Sequence, residues 1–273
     1  MVFIYVVALS FGRAQGVVMR RVALVLACGL IGWVAPVSGA AASPSMLVRM
    51  PLHARSVKRA TTDSTNWSGY AAYNATFSDV QASWTQPKVT CSTSGHRYAS
   101  FWVGLDGYTS NSVEQIGTDS DCSGRRAVYY AWYEMYPAYS VTLSQTSNPV
   151  VPGDSMSAEV STSATTFTLT LHDNTRKWIY STTQPSTTAQ DSSAEWVAEA
   201  PSSCYITCSV LPLANFGTVN FSTAVTTGNG QAGAISKFTN SAMVMVTNSG
   251  IIKAQPSALG TNGSSFTVTW HHS

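Results

Sequence analysis

Thr166-Phe167-Thr168-Leu169-Thr170-Leu171 alternates polar and apolar residues without a break, and Phe266-Thr267-Val268-Thr269-Trp270 repeats the pattern near the C-terminus. A period of two places every apolar group on one face of an extended chain, the pattern of a strand half-buried against a core. Working outward, Pro152-Gly153-Asp154, Gly228-Asn229-Gly230 and Asn262-Gly263 supply turn chemistry between such runs. Residues 242–247 (AMVMVT) are apolar on both faces and predict a central strand. No long segment carries a helical period, and no repeat or low-complexity tract interrupts the pattern. The fold expected is all-β, an antiparallel two-sheet β-sandwich.

The two ends of the chain differ in charge. Residues 1–60 hold seven Lys and Arg and no Asp or Glu, whereas the remainder holds 8 basic against 13 acidic residues, a formal charge of −5 hidden inside the overall +2. Met19-Arg20-Arg21 followed by the apolar residues 22–36 and then Ala40-Ala41-Ala42 has the charged start, short apolar run and small-residue cleavage site of a secretory signal. Residues 1–42 are therefore expected to be a signal region, with Met19 alone able to open it. An N-terminal membrane anchor is the alternative, disfavoured by the shortness of the run. Residues 43–62 read as a basic propeptide or linker containing Arg49, Arg55, Lys58 and Arg59, with Val57-Lys58-Arg59-Ala60 as a processing site. Residues 63–273 are long enough for one domain with a full core.

Cys28 falls in the signal region, leaving Cys91, Cys122, Cys204 and Cys208. An even number in an exported chain predicts disulfides, in any of three pairings; a zinc site is the rival reading, opposed by the spacing and the export signal.

Several reaction classes lack their residues. His96, His172, His271 and His272 form no HExxH or similar zinc-hydrolase spacing, there is no GxSxG elbow, and no phosphate loop or dinucleotide fingerprint occurs. The part after residue 60 has no basic stripe, so nucleic acid is not an expected partner. What the chain offers instead is carboxylates and amides set among aromatics, in FWVGLDG (101–107), VEQIG (113–117), YYAWYEMYP (129–137) and AEWVAEAP (194–201). Hydrolysis without a metal, Ser or Cys leaves a carboxylate as base, and Glu134 and Glu199 both lie in aromatic settings. Extended geometry turns Glu195, Val197 and Glu199 one way and Trp196 and Ala198 the other; it groups Trp132, Glu134 and Tyr136, and sends Glu114 to the face opposite Gln115.

Together these segments resemble the glutamic peptidases, or eqolisins, acid endopeptidases that pair one Glu with one Gln. The resemblance implies a bent sandwich of the concanavalin-like, jelly-roll type. It makes Glu199 the catalytic Glu and Gln115 the catalytic Gln, with Trp67 (in NWSGY, 66–70), Trp102, Asp106, Asp119, Glu134 and Tyr136 lining or supporting the cleft. It also implies a Cys204–Cys208 loop, leaving Cys91 to Cys122, and a secreted preproprotein whose basic prosegment is clamped on the acidic cleft until acid loosens it. Such a chain acts on protein or peptide substrates with no cofactor and no metal, as a monomer without stable membrane association once the signal is removed. Met135 and Trp196 stand where relatives carry other aromatics, and a Cys found near the catalytic Gln of some relatives is missing, so cleavage preference is not implied.

The residue types suit acid chemistry. A base works best near its own pKa; at pH about 3 to 4 His is protonated, whereas Glu, with a reference value of about 4.3, still supplies carboxylate. Gln never titrates and can donate to an oxyanion at any pH. The competing reading is a glycan-active sandwich, either a Glu134/Glu199 glycosidase or a carbohydrate-binding module.

Overall fold

The alternating segments form strands. The computed structural model describes residues 47–58, 61–92, 95–204 and 206–273; the expected signal region 1–42, residues 43–46 of the basic segment and Arg59 and Ala60 of the expected processing site lie outside them. Thr166–Asp173 buries Phe167, Leu169 and Leu171 completely and leaves its threonines at least partly open, as the alternation requires. Each such Leu or Phe contributes about 1.5–3 kcal/mol by leaving water.

Pairing runs in one continuous order. From one end come Trp178–Pro185, Thr166–Asp173, Ser155–Ser163, Phe77–Thr85, Thr218–Gly228, Phe266–Trp270, Ile252–Pro256 and Asn240–Val246. From Asn240–Val246 the order continues through Trp67–Tyr73, Ser193–Glu199, Ser100–Leu105, Val113–Ser123, Arg126–Tyr136 and Val141–Thr142. All these pairs are antiparallel. The ribbon turns over at Asn240–Val246, and its two halves face one another across a shared core that joins Phe101, Val103 and Ile116 of one half to Trp84, Val160, Leu169 and Leu171 of the other. This is the two-sheet sandwich. Two details differ from the sequence reading. Thr61–Ser64 adds to Asn240–Val246 in parallel. That strand is central, as expected, and both its faces meet apolar clusters, Ala242 packing on the shared core and Met243 on the other side, yet Ala242 and Val244 remain partly open.

The turn residues behave as their chemistry demands. Asn229 and Gly230 both take positive φ, 50° and 77°, closing a two-residue hairpin between Thr218–Gly228 and Gln231–Ala234. Two disulfides fasten the loops: Cys91–Cys122, and Cys204–Cys208 across the short pair Ser202–Cys204 and Cys208–Val210.

One sheet has two differently used faces. Paired residues in neighbouring strands point the same way, so the registers Trp67↔Glu199↔Ser100↔Asp119↔Tyr130 and Gly104↔Gln115↔Glu134 define a single face. Tyr70, Phe101, Ile116 and Trp196 point from the other side into the shared core. The face that carries the carboxylates therefore lies outside that core.

Candidate active site

Glu199 closes the strand Ser193–Glu199, between Trp67–Tyr73 on one side and Ser100–Leu105 on the other. The strand ends because Pro201 has no N–H to continue a ladder; the last backbone donor, Ala200 N, reaches Asn66 O at 2.9 Å. As the period of two requires, Glu195 and Val197 share its face, and Trp196 and Ala198 enter the core. Glu199 is fully buried. Its Oε2 accepts from Trp102 Nε1 at 2.9 Å, while Oε1 is buried with no hydrogen-bond partner among the described residues. Burial pushes its carboxyl well above the usual range; the Arg49 cation opposes this and the Glu134 carboxyl adds to it. Trp102 itself is braced edge-on by Trp67, ring centroids 4.9 Å apart.

Gln115 stands two strands away in Val113–Ser123, opposite Gly104 on one side and Glu134 on the other. Gly117 makes this region flat enough for Trp102: a Cβ there would lie 2.2 Å from Phe101 O and 2.6 Å from Trp102 Cβ. Glu114 faces away and accepts from Ser186 Oγ at 3.0 Å, which puts the two neighbours on opposite faces as expected. Burial raises the Glu114 carboxyl to about 8, with Asp106 reinforcing the shift.

The cleft holds a peptide of the protein's own. Residues 47–50 cross it, and Leu47–Val48 forms an antiparallel pair with Ser202–Ser203 of the Cys204–Cys208 hairpin. Gln115 Nε2 donates to Arg49 O at 2.7 Å, and Arg49 N donates to Glu134 Oε2 at 3.0 Å. Gln115 Oε1 and Glu134 Oε1, like Glu199 Oε1, are buried without partners among the described residues. Burial raises Glu134 to about 8, with Arg49 opposing. Beyond Arg49 the chain is tethered by Asn66 Nδ2, which donates to Met50 O at 3.2 Å and Pro51 O at 3.1 Å.

Asp119 lies at the floor beneath the Arg49 side chain. Its Oδ1 accepts from Trp132 Nε1 at 2.5 Å; its Oδ2 accepts from Arg49 Nη2 at 2.6 Å and lies 2.8 Å from the Tyr130 hydroxyl, which is equally close to Asp121 Oδ2. Asp121, buried and beside Asp119, is pushed well above the usual range for an aspartate.

The sequence-predicted residues thus divide. Trp67, Trp102, Gln115, Asp119, Glu134 and Glu199 share one buried face. Tyr136 sits at its margin, half-buried, its hydroxyl raised by burial and then by Glu134. Asp106 is not among them. It has a positive φ of 69° at the end of Ser100–Leu105 and accepts from the backbone N–H groups of Gln190, Asp191 and Ser192, so it shapes the loop ahead of Ser193–Glu199. Sequence reasoning did not single out Tyr130, Ser100 or Ser140. Tyr130 carried a signal, since it lies two and four residues before Trp132 and Glu134; Ser100 and Ser140 carried none.

Fold and site together define the class: the chain belongs to the Peptidase A4 family, the eqolisins or glutamic peptidases, whose family model matches residues 65–270. Among individual proteins it is similar to Aspergillopepsin-2 of Aspergillus niger, with 29% identity over 190 residues, 61% of this chain and 66% of that protein. The chain therefore spans just under two thirds of that relative's length. Among solved structures, scytalido-glutamic peptidase with a transition state analog inhibitor shares the fold at a TM-score of 0.66 and 24% identity, over 76% of this chain and 98% of that one. Aspergilloglutamic peptidase from Aspergillus niger matches at a TM-score of 0.56 and 27% identity, over 64% of this chain and 99% of that one.

Proposed function

We propose that this protein is a secreted acid endopeptidase that hydrolyses peptide bonds through Glu199 and Gln115. The observation that carries the reading is the hydrogen bond from Gln115 Nε2 to a peptide carbonyl, Arg49 O, at 2.7 Å, on the sheet face that also presents Glu199. In the reaction Glu199 as carboxylate takes a proton from a water that attacks the carbonyl carbon. Gln115 donates to the oxygen as it becomes an oxyanion. The tetrahedral species collapses with cleavage of the C–N bond, and Glu199 returns its proton to the leaving nitrogen. No bond between enzyme and substrate forms. Glu134 binds the N–H on the acyl side of the bond, as it binds Arg49 N.

The same contacts support the prosegment reading. Residues 47–50 fill the place a substrate needs, and in that state burial holds Glu199 well above its usual range, so that it is a neutral acid and no base. Displacing the segment rehydrates the carboxyl and so relieves burial, the largest cause of that shift, although the opposing Arg49 cation leaves with it. Secretion rests on the signal-like residues 1–42 and is supported by the two disulfides; among the described residues no helix is long and apolar enough to cross a membrane.

The test is cleavage of denatured protein across pH 2 to 7. Glu199→Gln is expected to abolish it, and Gln115→Ala to lower kcat by about 10²–10³, both without chelator sensitivity. Undiminished activity in Gln115→Ala would refute the dyad. A chain beginning at Ser43 should have a lower initial rate on acidification than one beginning at Asp63; equal initial rates would refute the inhibitory prosegment. Absence of proteolysis from a folded chain would favour the glycan-active alternative.

A further inference from the structure

The Arg49 side chain occupies a pocket built for it. Arg49 is fully buried, and each guanidinium nitrogen has a partner: Nε donates to Ser100 Oγ at 3.2 Å, Nη1 to Ser140 Oγ at 2.9 Å and Nη2 to Asp119 Oδ2 at 2.6 Å. The guanidinium carbon lies 4.0 Å from the centroid of the Trp132 ring. Burial alone disfavours the cation, but Asp119, Tyr130 and Glu134 outweigh it and keep Arg49 charged. Trp132 and Asp119 are fixed independently of the arginine, since the indole N–H donates to Asp119 Oδ1 and the Tyr130 hydroxyl reaches Oδ2. Ser140 is set by donating to Leu47 O at 2.8 Å.

The backbone of the same residue gives the pocket its meaning. Gln115 holds the Arg49 carbonyl, so the bond presented for attack is Arg49–Met50 and the pocket receives the side chain on the acyl side of that bond. We infer that Asp119, with Ser100, Ser140 and Trp132, is the specificity pocket of this enzyme and selects arginine at that position, an inference that rests on the peptidase reading. Residues 47–50 are then the enzyme's first substrate as well as its plug: once the segment loosens and water readmitted to Glu199 lets it ionise, the Arg49–Met50 bond is hydrolysed by water, and the new amine is that of Met50. Arginine fits better than lysine because its planar fork meets three separately placed oxygens while stacking on an indole, which a single ammonium cannot do. A leucine or phenylalanine in the same place would leave the Asp119 carboxylate buried without its cation.

The experiment takes the full chain, acidifies it, and identifies its N-terminus by mass spectrometry. The resulting enzyme is assayed at about pH 5 on peptides identical except for Arg, Lys, Leu or Phe before the cleaved bond. Expected are a new N-terminus at Met50 and a kcat/KM for Arg about tenfold or more above that for Leu, with Lys between. Asp119→Asn and Ser140→Ala should each lower the Arg-to-Leu ratio, and Arg49→Leu should slow the appearance of the Met50 N-terminus. If Asp119→Asn does not fold, Ser140→Ala carries the comparison. Cleavage of all four peptides at similar rates, or a ratio that neither variant moves, overturns the pocket assignment while leaving the Glu199–Gln115 reading intact. Failure to cleave any peptide overturns that reading, and this inference with it.

Discussion

Glu199 accepts one hydrogen bond that a single substitution can remove: the Trp102 indole N–H, 2.9 Å from Oε2, joins the Arg49 cation in favouring the ionised form of a carboxyl that burial drives toward neutrality. Trp102→Phe keeps an aromatic ring against Trp67 and removes only that donor. Losing a hydrogen bond to the charged form raises a carboxyl's pKa. The acid limb of the kcat–pH profile, where Glu199 must be ionised, is therefore expected to move upward by about 0.5–1 unit, with lower activity below it. An unmoved limb would show that Trp102 serves the packing only. Gln115 needs no such help, because an amide carries the same donors at every pH.

At the scale of elements, the site exists because four adjacent strands keep register over their whole length. Glu199 and Gln115 lie on different strands, separated by Ser100–Leu105, and Gly117 sits where Trp102 crosses that intervening strand. A methyl group at residue 117 would stand 2.2 Å from Phe101 O, which is backbone and cannot rotate aside. Gly117→Ala is expected to force the two strands apart, destabilising the protein by roughly 1–3 kcal/mol or more and reducing kcat. Denaturant unfolding together with a rate measurement checks both; a variant as stable and active as the parent would mean the strands separate without strain. The Cys204–Cys208 hairpin plays a different part. It presents Ser202–Ser203 as an edge on which Leu47–Val48 adds as a strand, which places Arg49 over the site.

For the whole molecule, the buried carboxyls set the pH range of stability. Glu114 and Glu134 are both raised to about 8, and Glu195, Glu199 and Asp121 are raised well above their usual ranges, burial being the largest cause in each. In the unfolded chain such groups ionise near pH 4. Between that pH and the folded values the native state binds more protons than the unfolded one, so stability falls as pH rises. The melting temperature is expected to be highest at or below about pH 4.5 and to decline toward pH 8. Thermal unfolding followed over pH 3 to 9 tests this, and a flat or rising curve would contradict it. The stability maximum expected in acid belongs to the folded state as a whole, since Glu114 and Glu195 contribute to it from outside the contacts made by Arg49.

The sequence by itself determined the strands, the face of each strand and the family. Alternation in Thr166–Asp173, Arg126–Tyr136 and Ser193–Glu199 is local information, and a period of two needs no partner to be read. It was enough to separate Glu199 from Trp196, and Gln115 from Glu114. The motifs around them also carried the eqolisin resemblance, which the family match bears out. Only the tertiary structure decided which strands lie side by side, because strand order is fixed by non-local pairing that leaves no mark in a short window. Asp106 illustrates the limit: it is acidic and close in sequence to the cleft, yet its hydrogen bonds go to residues 190–192. Arg49 illustrates the converse. In the sequence it is one of several cations in a segment without acids, no different in kind from Arg55. Its burial over Trp132 against Asp119 arises from the docking of Leu47–Val48 on Ser202–Ser203, a contact between chain segments more than 150 residues apart.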